Sequence, residues 1–562
     1  MLDMLEWPSL HPRLEGPRST QNYRRSGLDM FFDSRRSTVL ATNGMVATSQ
    51  PLAAMAGLRV LIDGGNAVDA AIASAAVLNV VEPVSTGVGG DMFALVWNNK
   101  EKTVRAINGS GRSPAAASLE SLRSQGHDQI PETGVHSITV PGAVHGWETL
   151  LKACGTMPLS ELLKPAIQYA EEGFPVSDII SFQWSKQQDK LARLPSGQEW
   201  LRDGRPPAHG EVMRVPTLGR TLRTIAEGGS EAFYHGEIAR KMAAFVQEQG
   251  GWLSTEDLAG HTSDWEEPIS TDYRGVTCWE CPPNGQGIAA LEALNIAEGF
   301  DIAGMGAQSA DAYHHLIESM RLAFADAFHY VADPSKAQVP TSQLASKSYA
   351  QARRALIDPQ RAMASAPYGE VGRGSDTVYI STVDREGNAC SFIYSIFVNF
   401  GTGMVVPDTG IVLHNRGALF SMDPAHPNAL APNKRPYHTI IPAMATVDGE
   451  LYLCYGVMGG LMQPQGHMQV ISNMVDFDMD PQPALNALRF LVTEDSVALE
   501  EGIPAEVVGD LERRGHRVGI ARGYQQLILG GFGGAQLIQR DRETGVLRGA
   551  SEPRKDGCAV GW

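Results

Sequence analysis

Two hydroxyls in the last third of the chain are spaced for chemistry. Thr377 opens the run TVYISTV, Ser395 closes the run ACSFIYS, and DREGN lies between them. Both runs are rich in β-branched and aromatic residues, and a polar five-residue break containing Gly reads as a hairpin loop. Thr377 and Ser395 are equidistant from Glu386, the loop centre. In an unbulged antiparallel pair such residues face each other, with Cβ atoms about 4.5–5.5 Å apart. A hydroxyl is a weak nucleophile and needs an adjacent base to attack a carbonyl. Two hydroxyls side by side at the open end of a hairpin fit that chemistry, and they equally fit an ordinary cross-strand pair. The Gly-rich stretch GEVGRGSD leads into this open end.

Other motifs carry less. Cys278 and Cys281 form one CxxC with no second pair nearby; a zinc site needs two more ligands at set spacing. We read them as buried thiols near a strand over 275–279. His314 and His315 are adjacent, so they point to different sides of a helix and make no i, i+4 metal pair. They read as surface histidines, and no metal is expected. VSTGVGGD at 84–91 and the Gly-rich run LILGGFGGAQLI near the C-terminus resemble phosphate loops at a glance. The first lacks GxxxxGK[ST], and the second sits between strand-like runs, so both read as packing or turn glycines. No cofactor is expected.

The elements that must hold the hairpin follow from patterning. Residues 46–82 have apolar positions at three and four spacing, broken at Gly64-Gly65-Asn66, and read as two helices. The second is Ala-rich and apolar nearly all round, so it should be buried. MFALVW at 92–97 reads as a strand, and 158–174 and 308–332 as further helices. At 562 residues with 43% hydrophobic and 19% charged residues, the chain is long enough for a large core and is not a disordered one. Its 46 basic and 63 acidic residues give a net charge of −17. That argues against nucleic acid or an anionic membrane surface as partner. The six cysteines make no disulfide scaffold. Residues 1–38 carry Arg throughout and no apolar stretch of signal-peptide type; they read as an extended arm packing through Trp7, Phe31 and Phe32. The longest apolar run, Ala67–Val81, is too short to span a bilayer. The expected location is cytoplasmic.

From about residue 43 onward the chain resembles the γ-glutamyltransferase (glutathione hydrolase) family of N-terminal-nucleophile hydrolases. The matching stretches include GGNAVDAAIA at 64–73, VPGAVHGW at 140–147, GTMPLSELLKPA at 155–166, GGWLSTEDLAGH at 250–261, DYRG at 272–275, FGTGMVVPDTGIVLHN at 400–415, APNKRP at 431–436 and Gly459-Gly460. The resemblance implies an α+β fold, a four-layer αββα sandwich with two central antiparallel sheets. It implies a precursor that cuts itself between Asp376 and Thr377. The products are a large segment, 39–376 behind the arm, and a small segment, 377–562, which stay associated as a heterodimer, with or without further oligomerisation. Thr377 would then be an N-terminal nucleophile whose own α-amine, with a pKa of about 7.7–8.0, is the base. Its Oγ would form an ester acyl-enzyme, released by water or an amine. Ser395 stands where the family commonly has Thr and would orient the nucleophile. Gly459 and Gly460 match the oxyanion-hole glycines, a contribution of about 3 kcal/mol per donor.

The recognition positions depart from the family. Phe397 stands where an Asn is usual, Arg416 for Gln, Leu419 for an acidic residue, and His438 and Thr439 for two serines. Ser110 takes the place of the carboxylate-binding Arg, with Arg112 two residues nearer Pro114. On this count the anion that pairs an α-ammonium is gone and a cation has arrived. The expected acyl donor therefore has a carboxylate and no α-amino group, held by Arg416 or Arg112. Oxamate-like monoamides and glutaryl-cephalosporin-like amides fit. A true γ-glutamyltransferase and a catalytically inactive scaffold are the alternatives. The segment 421–432 looks shorter than the family's lid loop, which predicts a more open site.

Overall fold

The computed structural model describes residues 36–366, 377–493, 496–523 and 531–562. The arm's Trp7, Phe31 and Phe32, the loop GEVGRGSD and Asp376 lie outside the described residues.

The hairpin forms with the expected register. Val378–Val383 pairs with Ala389–Ser395, from Val378 opposite Tyr394 to Val383 opposite Ala389. Gly387 takes the left-handed conformation at φ +82 within the five-residue loop, and Asp384 Oδ1 accepts from Asn388 N at 2.9 Å. The loop is docked as well as turned. Asp384 Oδ2 accepts from the amide of Ala67 at 3.1 Å, at the N-terminus of the helix Ala67–Val81, where a carboxylate meets free N–H groups. Asn66 caps this helix with a reciprocal capping box to Asp69. All of its residues are buried, as its apolar circumference requires.

Two seven-stranded sheets form the centre. One runs in the order Cys558–Gly561, Met45–Thr48, Val378–Val383, Ala389–Ser395, Asp91–Asn98, Thr103–Gly109, Asp264–Glu266. The other runs Val39–Ala41, Leu547–Ser551, Gly534–Arg540, Glu450–Met458, Ala443–Val447, Val276–Glu280, Ile269–Tyr273. Phe93, Trp97, Tyr379 and Ile393 of the first meet Met444, Cys454, Met458 and Ile538 of the second in a buried layer. The alternate residues of the first sheet, among them Ile380, Phe392 and Tyr394, pack under the helices Pro51–Ile62 and Ala67–Val81. Helices Gly287–Ala297, Ala310–Tyr330 and Met462–Val475 cover the second sheet through Ala443, Leu453 and Tyr455. The fold is thus the four-layer αββα sandwich. Both sheets combine strands that precede residue 377 with strands that follow it, and the two kinds pair directly, as Val39–Ala41 does with Leu547–Ser551 and Met45–Thr48 with Val378–Val383.

Two expectations change. Met45–Thr48 is a strand paired to Ile380–Val383, not the start of a helix; its three apolar residues suit either period. His314 and His315 are buried, not on the surface. Their helix is enclosed on several sides, so His314 Nδ1 lies 2.8 Å from His516 Nε2 and His315 Nδ1 lies 2.7 Å from the Asp311 carbonyl. Cys278 and Cys281 are both buried, the first on the strand Val276–Glu280.

A second polar cluster lies near the C-terminus. Arg489 Nη2 donates to Glu552 Oε2 at 2.8 Å and its Nη1 to the Phe532 carbonyl at 2.8 Å. Arg554 donates from Nε and Nη2 to Glu500, from Nη1 to Glu552 and the Leu485 carbonyl, and from Nη2 to the Ala487 carbonyl. Every nitrogen of Arg554 is engaged. Among the described residues, no helix is long and apolar enough to cross a membrane.

Candidate active site

Residues that face one another across adjacent strands point to the same side of a sheet. Thr377, Ser395 and Asp91 form such a row: the hairpin register sets Thr377 opposite Ser395, and Ser395 pairs with Asp91. The alternation that sends Tyr379, Ile393 and Phe93 into the layer between the sheets sends these three there too. Thr377 Oγ1 lies 3.3 Å from Ser395 Oγ, and all three residues are fully buried. Ser395 Oγ also accepts from the amide of Phe397 at 2.8 Å, which helps hold Phe397 at φ +76.

The facing strand of the other sheet carries the glycine turn. Ser381 Oγ donates to the Cys454 carbonyl, and Gly456 is so close that a Cβ would lie 2.4 Å from the Tyr379 ring. Two residues back along one strand match two forward along the other, a progression that runs toward Thr377 on one side and Met458-Gly459 on the other. Gly459 and Gly460 have φ of +119 and +59. A Cβ on Gly459 would sit 2.8 Å from Gly533 Cα, so only glycine fits. The Gly459 and Gly460 carbonyls accept from Met462 N and Gln463 N. Because the peptide is planar and trans, the N–H of Gly460 points the opposite way from the Gly459 carbonyl, away from the helix that follows. The glycines of GGFGG, of which Gly531–Gly534 are described, include the close approach to this turn.

Around Asp91 the structure gathers three distant segments. Its Oδ1 accepts from Gly111 N at 3.0 Å. Its Oδ2 lies 3.1 Å from His438 Nε2, 3.3 Å from His414 Nδ1 and 3.9 Å from Arg416 Nε. Burial acts to raise the Asp91 carboxyl, but the charge and hydrogen bonds of His414 and the hydrogen bond of His438 outweigh it and hold it below the usual carboxylate range. His438 is pushed down to about 3 by burial, reinforced by the Arg416 charge and opposed by Asp91. Its Nδ1 accepts from Ile440 N at 3.3 Å, so the neutral ring carries its proton on Nε2 and donates it to Asp91. His414 Nε2 contacts the Thr139 carbonyl at 2.9 Å.

Arg416 is fully buried. Its Nη1 donates to Thr439 Oγ1 at 2.7 Å, and its guanidinium lies over the Phe397 ring at 4.5 Å. Nε and Nη2 have no hydrogen-bond partner among the described residues. Burial pulls this guanidinium down to about 9, with the Asp91 charge opposing.

The structure thus brings Thr377, Ser395, Phe397, Arg416, His438 and Thr439 into one contact network. Arg112 follows Gly111 in the chain; its Nη2 pairs with Asp264 at 3.3 Å and its side chain is 29% exposed. Ser110 is buried, with its Oγ on Asn108. The charge count from sequence was incomplete, because it lacked Asp91, an anion 3.9 Å from Arg416. At the ends of the segment 421–432, Phe420 and Leu430 pack with Ala117, Leu122, Ile130 and Trp252. Asp91 and His414 were not singled out in the sequence. The available signal was an ionisable residue heading or ending an apolar run, in DMFALVW and GIVLH.

Comparison with known proteins agrees with this geometry. The family model described as gamma-glutamyltranspeptidase matches residues 53–562. The chain is 37% identical over 532 residues to a glutathione hydrolase-like YwrD proenzyme of Bacillus subtilis, covering 93% of this chain and 99% of that protein. It is 33% identical to an oxamate amidohydrolase proenzyme of Klebsiella pneumoniae, covering 94% and 100%. Among solved structures, a cephalosporin acylase from Bacillus halodurans superposes with a TM-score of 0.89 at 46% identity, covering 96% of this chain and 99% of that one. The chain therefore belongs to the gamma-glutamyltranspeptidase family and is an enzyme of the N-terminal-nucleophile amidohydrolase type.

Proposed function

We propose that the chain is a self-processing amide hydrolase acting on donors whose acyl part ends in a carboxylate. Thr377 Oγ1 attacks the Asp376 carbonyl, the Asp376–Thr377 C–N bond breaks as the acyl group passes to Oγ1, and water hydrolyses that ester, leaving the Asp376 carboxylate and a free Thr377 hydroxyl in segments that remain together. The freed α-amine of Thr377 then serves as base for attack on the substrate amide, and Ser395 orients the hydroxyl. The N–H groups at Gly459 and Gly460 meet the oxyanion. Water or an amine releases the acyl group.

One observation carries the substrate class: Arg416 is wholly buried beside the Thr377–Ser395 pair with two donor nitrogens unused. A buried cation left with free N–H groups is costly, and a carboxylate matches the guanidinium fork in two places. Thr439 and Phe397 hold that fork in place; His438 sets the other side of the pocket through Asp91. A γ-glutamyl donor is the second reading, because Asp91 places a carboxylate in the site. Against it, Asp91 is already met by Gly111 N–H and His438, whereas Arg416 is not saturated.

Intact mass of wild type and Thr377→Ala tests the first step. Two pieces from wild type and one from the variant are expected; an uncut wild type leaves the scaffold reading. Glutaryl and γ-glutamyl p-nitroanilides test the second. Faster cleavage of the γ-glutamyl compound would move the assignment to a γ-glutamyltransferase.

A further inference from the structure

Gln286 lies between the two halves of the site and belongs to neither by sequence. It is fully buried. Its Nε2 donates to the Thr439 carbonyl at 2.7 Å and to the Gly460 carbonyl at 2.8 Å. Its Oε1 accepts from Tyr437 Oη at 2.9 Å, and its backbone amide donates to the His438 carbonyl at 3.0 Å. An amide group has two N–H donors. Here one goes to the segment that carries the Arg416 contact, and the other to the glycine turn. The path from recognition to oxyanion is continuous: Arg416 Nη1 to Thr439 Oγ1, Thr439 carbonyl to Gln286, Gln286 to the Gly460 carbonyl.

We propose that Gln286 is a positioning residue that ties the oxyanion turn to the carboxylate-recognition segment around Thr439, so that one side chain sets both. The inference rests on the proposed roles of Arg416 and Gly459-Gly460. Glycine at positive φ has many conformations open to it, so a turn of two such residues needs an external restraint. Gln286 supplies it at the Gly460 carbonyl. A carboxylate seated on Arg416 and Thr439 then bears, through Gln286, on the placement of the Gly460 peptide. Misplacement of about 1 Å at a site of this kind costs up to about a hundredfold in rate.

The experiment compares wild type and Gln286→Met, both processed, on glutaryl and pentanoyl p-nitroanilides, which differ in the terminal carboxylate. In Gln286→Met, kcat on the glutaryl compound should fall about 10- to 100-fold. The kcat preference for glutaryl over pentanoyl should collapse toward one, while the KM preference persists because Arg416 is untouched. A purely structural role would lower Tm and leave both ratios where they were, and that result overturns the proposal. So does an equal fall in kcat on both anilides, which would confine Gln286 to the glycine turn. If Gln286→Met does not fold, Tyr437→Phe removes the partner of Oε1 and should move the kcat ratio the same way by about threefold, on the order of a single hydrogen bond; an unmoved ratio there overturns the proposal. Should wild type cleave both anilides alike, the carboxylate reading fails and with it the coupling, and kcat alone then decides whether Gln286 serves Gly460.

Discussion

Two of the arginines taken out of solvent, Arg554 and Arg416, are treated in opposite ways. Arg554, with an 8% exposed side chain, spends every nitrogen on Glu500, Glu552 and two carbonyls. Arg416, 0% exposed, spends one nitrogen on Thr439, lies over Phe397 and leaves two unused. The ion pairs raise the Arg554 guanidinium above its ordinary range, whereas burial lowers that of Arg416. A saturated buried cation holds structure together. An unsaturated one lowers the stability of the unliganded protein and keeps recognition capacity for something that arrives later. Where both kinds occur in one chain, counting unused donors tells scaffold from site better than burial does.

The sharpest way to break this contrast is Arg554→Ala. It leaves Glu500 and Glu552 without their main cation, and should cost about 3–5 kcal/mol of stability. The loss would appear as a large fall in Tm, with kcat per folded molecule unchanged. Arg416→Met should do the reverse. Stability should hold or rise, because an incompletely paired buried charge is removed. The kcat/KM for a carboxylate-bearing anilide should fall by about 2–5 kcal/mol. Equal Tm losses in the two variants would erase the distinction.

Acid titration separates the clusters by window. His438 has a folded pKa of about 3 against an ordinary 6.5, so it resists protonation in the folded state. Its contribution to stability is complete above pH 6.5 and is lost as pH falls from there toward 3. Glu552 is held down at about 2 against 4.5 by Arg489 and Arg554, over the opposing effect of burial. Its contribution is complete above pH 4.5 and is lost toward 2. The fall in Tm should therefore be shallower in His438→Gln from pH 6.5 down to about 3, most cleanly between 6.5 and 4.5 where Glu552 makes no contribution; an identical slope would contradict the neutral His438 described above. The smallest effect belongs to Thr439→Val. It removes one hydrogen bond to a charged group, about 1.5–3 kcal/mol. It should raise KM for the glutaryl anilide more than it lowers Tm.

Legibility in the sequence follows the range of the interactions. Thr377 opposite Ser395 was readable because a hairpin is local and its loop is symmetric. The helix Ala67–Val81 and its break at Gly64–Asn66 were readable because caps and periodicity are local as well. The four-layer fold came from resemblance, since nothing in a strand's own pattern says which sheet it joins. Met45–Thr48 shows the limit: four residues carry too little periodicity to outweigh the helical pattern that follows. Asp91 and His438 are 347 residues apart, and the pair becomes visible only once β-pairing sets the start of one strand beside a loop from the far end of the chain. Gln286 is illegible for the same reason, because its two acceptors belong to segments that meet only in the folded molecule.

The mixing in both sheets of strands from before and after residue 377 has a consequence for the proposed processing. A cut between Asp376 and Thr377 would sever no sheet hydrogen bond among the described strands, yet it would turn a unimolecular folding problem into a bimolecular one. Before the cut, the two sets of strands find each other at an effective concentration of roughly millimolar order. After it, a melted pair must find its partner at the concentration of the solution. The precursor should therefore refold from dilute denaturant far more readily than the mature pair, whose survival in the cell is then set by its rate of unfolding.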